Sequence, residues 1–309
     1  MSRSSTPWTI EDHPTALQDA IDLELWTIPL YLTALFSIKD LSSEAARLIF
    51  SVAAQEMLHL QLACNLANVF GGTPRFNQPV YDPTKGIPFH TPEQGTPVNG
   101  PFEVRLGPLD ENAINLFLEV ELPKELSADH GQGTLGPADT YDSIGEFYAA
   151  IQSGITQLWP THAQPGRRQK NVFQSQYPQI NFNITTLNLA LQSLELIVDQ
   201  GEGADPEGHI PTEYVPTGNP TDETSHYVRF LKVKADLLQG GIETYQDTGA
   251  SATKQQDDLN ERFTVFLQDL TASFNSDGSQ VNLCNMQPIE PATIAVWQAG
   301  ACPQFRVLS

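Results

Sequence analysis

Residues Ser42 to Gly72 read SSEAARLIFSVAAQEMLHLQLACNLANVFGG, an apolar run of helical period with one polar interruption, Glu56-Met57-Leu58-His59. Residues three apart share a helix face, so the Glu56 carboxylate and the His59 imidazole can reach one point. Val52, Ala53, Ala63 and Leu66 continue the apolar stripe around them. An ionised carboxylate in such a stripe needs a compensating charge or strong hydrogen bonds. A metal ion supplies that charge. Ser42 or Ser43 suits the N-cap and Gly71-Gly72 the stop, so the whole stretch is predicted as one helix.

A single Glu-x-x-His also describes a core histidine beside a surface acid. The spacing repeats, however, at Glu223-Thr224-Ser225-His226, ahead of the apolar positions Tyr227, Phe230, Leu231 and Val233, with Thr221 or Asp222 as the expected cap. Two such pairs, with one Glu from each of two further helices, form the dimetal carboxylate site of four-helix bundles. Pro14 to Ile38 is predicted as a long helix in which Leu17, Ala20, Ile21, Glu24, Ile28 and Tyr31 share a face. Glu24 is the only acid on that face, just before a helix-interrupting Pro29. Tyr141 to Trp159 is predicted as the third bundle helix, with Ile144, Phe147, Ile151, Ile155 and Leu158 at threes and fours and Glu146 as its lone inward acid. A shorter helix from Leu109 to Leu122, stopped by Pro123, turns Ile114, Phe117 and Leu118 inward and leaves Glu119 and Glu121 as alternatives to Glu146. Glu202 is a further alternative. The expected metal ligands are therefore Glu24, Glu56, His59, Glu146, Glu223 and His226.

With 309 residues and 40% hydrophobic content, the chain is expected to form one elaborated domain over 1–309. Its bundle core would span about 14–245, and residues 246–309 would hold a helix from Thr253 to Phe274 and an irregular remainder. Helix is also expected from Ile184 to Val198. A net charge of −21 opposes binding to nucleic acid or an anionic membrane. No run of eighteen apolar residues occurs and the opening residues lack a signal-peptide core, so a soluble, cytoplasmic protein is expected. Cys64 reads as a buried small hydrophobe, and Cys284 and Cys302 as free thiols unless an oxidising compartment pairs them.

Two long loops interrupt the helices. Gly71 to Pro108 holds eight prolines and six glycines, which excludes a long helix there. Its aromatics, Phe76, Tyr81, Phe89 and Phe102, predict that it packs down and covers one end of the bundle, with His90 as a solvated loop residue. Pro160 to Asn183 carries Arg167, Arg168 and Lys170, the one basic cluster of an acidic chain. Folded over the bundle, it would receive an acidic substrate, since arginine pairs carboxylates bidentately; otherwise it is a solvated loop.

Several runs together resemble the ferritin-like domain family named after the iminophenyl-pyruvate dimer synthase of violacein biosynthesis. They are Ala20-Ile21 with Leu23-Glu24, Thr27-Ile28-Pro29 and Tyr31-Leu32, Glu56-Met57-Leu58-His59-Leu60, Asn65-Leu66 to Gly71-Gly72, Phe117 to Pro123, Ile144 to Tyr148, Gln200 to Gly203, and Ser225-His226-Tyr227 to Phe230. The resemblance implies an all-α, ferritin-like four-helix bundle with inserted loops. It does not fix a reaction; the doubled Glu-x-x-His and the lone inward acids lead to the expectation of a non-haem di-iron, O2-dependent oxidoreductase with two Fe ions, or Mn, acting on a small organic, amino-acid-derived and acidic metabolite of secondary metabolism. Members of the family often carry Glu-Glu before Met-Leu-His, where this chain has Gln55-Glu56. An iron-oxidising or iron-binding ferritin relative, and a metal-free binding bundle, are the alternatives.

Overall fold

The computed structural model describes residues 7–90, 97–124, 126, 136–137, 140–141, 143–218, 223–277 and 286–308. Among the described residues the fold is all-helical: α1 (Asp12–Leu35), α2 (Glu44–Val69), α3 (Glu111–Val120), α4 (Ile144–His162), α5 (Leu187–Gly201), α6 (His226–Leu238), α7 (Thr253–Phe274) and α8 (Ile289–Gln298). Extended pairing among them is confined to isolated bridges, such as His209 with Thr224. No described helix is long and apolar enough to cross a membrane.

α1 and α2 bury nearly every side chain they carry. A helix apolar all round must sit inside, and these two form the central pair, each the other's most extensive neighbour. They are joined by a short connection, and the geometry of that hairpin sets the height of the site. Glu24 lies eleven residues before Leu35 and Glu56 twelve after Glu44, so at 1.5 Å per residue both stand roughly 17 Å from the turn. Ser43 Oγ caps α2 by accepting the Ala46 N–H at 3.3 Å. Gly71, at φ 80°, lets the chain leave the helix in the left-handed region.

α6 packs on α2 and α3, and α4 packs on α1 and α5. Tyr31, Phe117 and Phe230 tie α1, α3 and α6 together, with ring centroids 4.7 and 5.1 Å from Tyr31. The expected Tyr141 to Trp159 helix forms as α4, starting at Ile144, and α1, α2, α5 and α4 each pack on the next to close a four-helix arrangement. The short α3 and α6 meet the central pair at the site, while α4 and α5 flank it.

The C-terminal remainder, expected to be irregular, contains α8. Its Pro288 and Pro291 lie at and just inside the helix start, where backbone N–H groups have no helical partner to lose. Trp297 Nε1 donates to the Thr33 carbonyl at 3.0 Å and docks α8 on α1. The loop from Gly71 packs as its aromatics predict. Tyr81 OH donates to the Trp26 carbonyl at 2.6 Å, Trp26 Nε1 to the Val80 carbonyl at 3.0 Å, and Phe89 stacks on Phe147. His90 is largely buried rather than solvated, with Nε2 3.7 Å from Glu119 Oε1. Cys64 and Cys302 are free thiols; Cys284 lies outside the described residues, as do the expected caps Thr221 and Asp222.

Glu202 closes the joint between α3, α4 and α5. Its Oε1 accepts the Gly145 N–H at 2.6 Å and its Oε2 the Lys124 N–H at 3.0 Å. The carboxylate thus sits at the N-terminus of α4, where the helix dipole favours an anion. A Cβ on Gly145 would stand 2.6 Å from both carboxylate oxygens. Gly145→Ala should therefore lower stability by about 1–3 kcal/mol, an overpacking cost, read as a lower denaturation midpoint in urea at unchanged slope. An unshifted midpoint would show that Glu202 moves aside freely.

Candidate metal centre

Two groups of acids and histidines meet between α1, α2, α3 and α6: Glu24, Glu56 and His59, and Glu56, Glu121 and His226. Glu56 belongs to both. All five side chains are buried, at 5% exposure or less, so their charges have almost no water to stabilise them. His59 Nδ1 lies 3.5 Å from Glu24 Oε2 and 3.7 Å from Glu56 Oε1. His226 Nδ1 lies 2.9 Å from the same Glu56 Oε1 and 3.4 Å from Glu121 Oε1. Two ligand atoms each about 2.1 Å from one metal, at right-angled to tetrahedral spacing, stand roughly 3.0–3.4 Å apart. The observed spacings are close to this range.

The outer nitrogens fix the state of the inner ones. His226 Nε2 lies 3.0 Å from Gln55 Oε1, which also accepts from Arg229 Nη1 at 2.7 Å. A guanidinium only donates, so the Gln55 atom facing it is the oxygen, and His226 Nε2 must carry the proton. His59 Nε2 lies 2.9 Å from Gln200 Oε1, while Gln200 Nε2 donates to the Tyr214 carbonyl at 2.7 Å. A carbonyl only accepts, so the same reasoning puts the proton on His59 Nε2. Both Nδ1 atoms, the ring nitrogens left for a metal, then face carboxylate oxygens. His226 Nδ1 is completely buried and makes no hydrogen bond, despite lying 2.9 Å from Glu56. A cation between them satisfies both atoms, and the residues present fit a metal.

Two tyrosines orient the outer carboxylates. Tyr31 OH donates to Glu121 Oε1 at 2.6 Å, and Tyr148 OH donates to Glu24 Oε1. Burial and the carboxylates beside them push both phenols well above their ordinary range, so they remain neutral donors. Thr27 Oγ1 donates to Glu56 Oε2 at 2.8 Å. Burial, with Glu121 alongside, raises the Glu56 carboxyl well above its usual value. Burial acts in the same direction on Glu121, but His226 and the Tyr31 hydroxyl outweigh it and hold that group low. His59 is disfavoured as a cation by burial, yet Glu24 and Glu56 raise it on balance. Without a metal, the cluster balances its acids with protons.

Of the sequence-predicted ligands, Glu24, Glu56, His59 and His226 are brought together, and Glu146 and Glu223 are not. Glu223 is exposed and precedes the helix, because Ser225 takes the N-cap and accepts the Val228 N–H at 3.4 Å. The chain bends at Glu223, whose carbonyl accepts the Ile210 N–H, and is not yet helical, so the face-sharing rule for residues three apart does not apply to it. Glu146 is buried in the first turn of α4, capped by Ser143, where an acid serves the helix dipole. Glu121 takes the position foreseen for it. The inward stripe of Ile114, Phe117 and Leu118 reaches Glu121 one turn later, which was the available signal. Glu119 faces His90 and Glu202 caps α4, so neither joins the cluster.

Arg167, Arg168 and Lys170 do not reach the cluster either. Arg167 Nη1 donates to the Asn68 and Gly72 carbonyls, Lys170 Nζ to the Ser276 carbonyl, and Arg168 lies 3.9 Å from Asp277. Asn68 is nine residues beyond His59 along α2, roughly 13 Å away. These residues fasten the loop to the ends of α2 and α7.

A cavity of about 20 Å³ adjoins Glu24, Glu56, His59 and Glu121, walled by Leu23, Val120, Ile144, Ile197 and Val198. It has room for about one water-sized molecule. Among the described residues of the Gly71 to Pro108 loop, none lines it.

Comparison with known proteins agrees with this architecture. The ferritin-like family matches residues 17–235, and the chain belongs to that family. Among solved structures it is similar to a ferritin-like protein from Caulobacter vibrioides, at 30% identity over 97% of this chain and 99% of that one, with a TM-score of 0.80. No curated protein matches.

The ligand assignment separates two acids by experiment. Glu121→Gln should retain about one metal ion fewer per chain than the parent, whereas Glu223→Gln should retain as many, because ligand loss acts directly on metal affinity. Elemental analysis after purification without chelators reads the difference. The reverse order would return the ligand role to Glu223.

Proposed function

We infer that this protein would hold two iron ions among Glu24, Glu56, His59, Glu121 and His226 and that its function is O2-dependent oxidation. The observation that carries the reading is the buried His226 Nδ1, which faces Glu56 Oε1 at 2.9 Å with no hydrogen bond. Glu24, Glu56 and His59 would hold one ion, and Glu56, Glu121 and His226 the other. Carboxylate and imidazole ligands with open positions suit Fe(II), and Mn suits them next best. Reduced iron at such a site supplies electrons and a binding position for O2.

The chain's own residues limit what reaches it. Tyr31 and Tyr148 hold the two outer carboxylates in place. Leu23, Val120, Ile144, Ile197 and Val198 keep bulk water out of a cavity sized for O2. The resemblance to the iminophenyl-pyruvate dimer synthase family supports a small, amino-acid-derived organic substrate. The cavity favours a second reading, oxidation of iron itself, since Fe(II) and O2 both fit where an organic molecule does not. The net charge of −21 supports cation uptake over an acidic metabolite.

Anaerobic loading with Fe(II) followed by O2 tests both. The protein should bind about two Fe(II) per chain and consume O2 on exposure, and Glu56→Ala with His59→Ala should lose both properties. Continued O2 uptake with excess Fe(II) selects the second reading; uptake that stops after the bound iron is oxidised selects the first. Absence of stoichiometric iron in a folded protein would leave a metal-free binding bundle.

A further inference from the structure

The two imidazoles are joined twice. On the inner side Glu56 lies between them. On the outer side a chain of neutral groups runs from His59 through Gln200, Tyr177 and Gln55 to His226. Gln200 Nε2 donates to Tyr177 OH at 3.4 Å, and Gln55 Nε2 donates to the same hydroxyl at 3.2 Å. A phenolic oxygen can accept from more than one side, which lets one hydroxyl serve both amides.

Each amide is thereby held at more than one point. Arg229 and the Tyr214 carbonyl decide which end of Gln55 and Gln200 faces an imidazole. Tyr177 OH is the partner of Gln55 Nε2 and a second partner of Gln200 Nε2, so one hydroxyl braces both amides. Tyr177 is 3% exposed and its ring packs edge-on against Phe182, so the hydroxyl is anchored from a loop rather than from any bundle helix. A metal-binding histidine depends on such outer contacts for its tautomer and ring orientation.

We propose that Tyr177 is a positioning residue shared by both metal positions, bracing the Gln200 and Gln55 amides that accept from His59 Nε2 and His226 Nε2 and so the orientation of both rings. Its connection to metal binding rests on the reading given under Proposed function; the hydrogen-bond chain does not. One hydroxyl sets both rings, so its loss must act on the two positions together, whereas loss of one glutamine acts on its own imidazole.

The test begins with metal-free protein. Nitrogen-15 correlated NMR of the histidine rings should show slowly exchanging Nε2–H protons on His59 and His226 in the wild type. Tyr177→Phe keeps the aromatic ring and removes only the hydroxyl. It should make Nε2–H exchange much faster on both rings, while Gln55→Met should release His226 alone. Titration of wild type and Tyr177→Phe with Co(II) should then show affinity at both positions reduced by about 10–100-fold, the range for lost outer contacts. Both rings unchanged in Tyr177→Phe, or one changed without the other, overturns the proposal. Should Tyr177→Phe fail to fold, Gln55→Met and Gln200→Met decide, since each must release one ring and leave the other. A wild type that binds no Co(II) while Tyr177→Phe releases both rings would refute the dimetal reading and leave the positioning role standing.

Discussion

Three carboxylates and two imidazoles share a buried volume, and the structure around them is organised to make that tolerable. Burying ionised groups without partners costs more than a domain's whole net stability. Here Glu24, Glu56 and Glu121 receive hydroxyl donors from Tyr148, Thr27 and Tyr31, and the imidazoles are tethered by glutamines. These contacts orient the groups without neutralising them. What remains is a demand for positive charge at the centre, which protons meet in part and which metal ions would meet in full.

Fold and site are linked through this demand. α1 and α2 bury nearly all of their side chains, and Glu24, Glu56 and His59 stand against each other at similar height above the hairpin turn. α3 and α6 then contribute from their ends: Glu121 is the C-cap of α3 and His226 the first residue of α6. Side chains at helix ends can be aimed by short loops and caps, which is how two short helices complete a site begun by two long ones. Glu202 secures the nearby start of α4 and keeps Tyr148 in register with Glu24.

How much was legible in the sequence follows from the same distinction. α2 was readable in full, because periodicity, cap and stop all agree within one continuous stretch. Glu24 was readable as a lone acid on an apolar face. That rule misassigned Glu146, since an acid in the first turn of a capped helix has a local use unrelated to any site. The second Glu-x-x-His was half right: Ser225 competes with Thr221 and Asp222 as the cap, and the structure's use of it leaves Glu223 outside the helix. The glutamines behind the histidines were not legible at all. Gln200 meets His59 across 141 residues and Gln55 meets His226 across 171, and no local pattern announces such partners.

The central claim is that the buried acids hold two metal ions with Glu56 between them. Anomalous diffraction at the iron edge, from crystals grown of Fe(II)-loaded protein, tests this most directly. The account predicts two peaks roughly 3.5–4 Å apart, the separation of two-metal sites, one against Glu24 and His59 and the other against Glu121 and His226. Iron found only at exposed acids such as Asp205, Glu207 and His209, with no peak among the buried five, would contradict it.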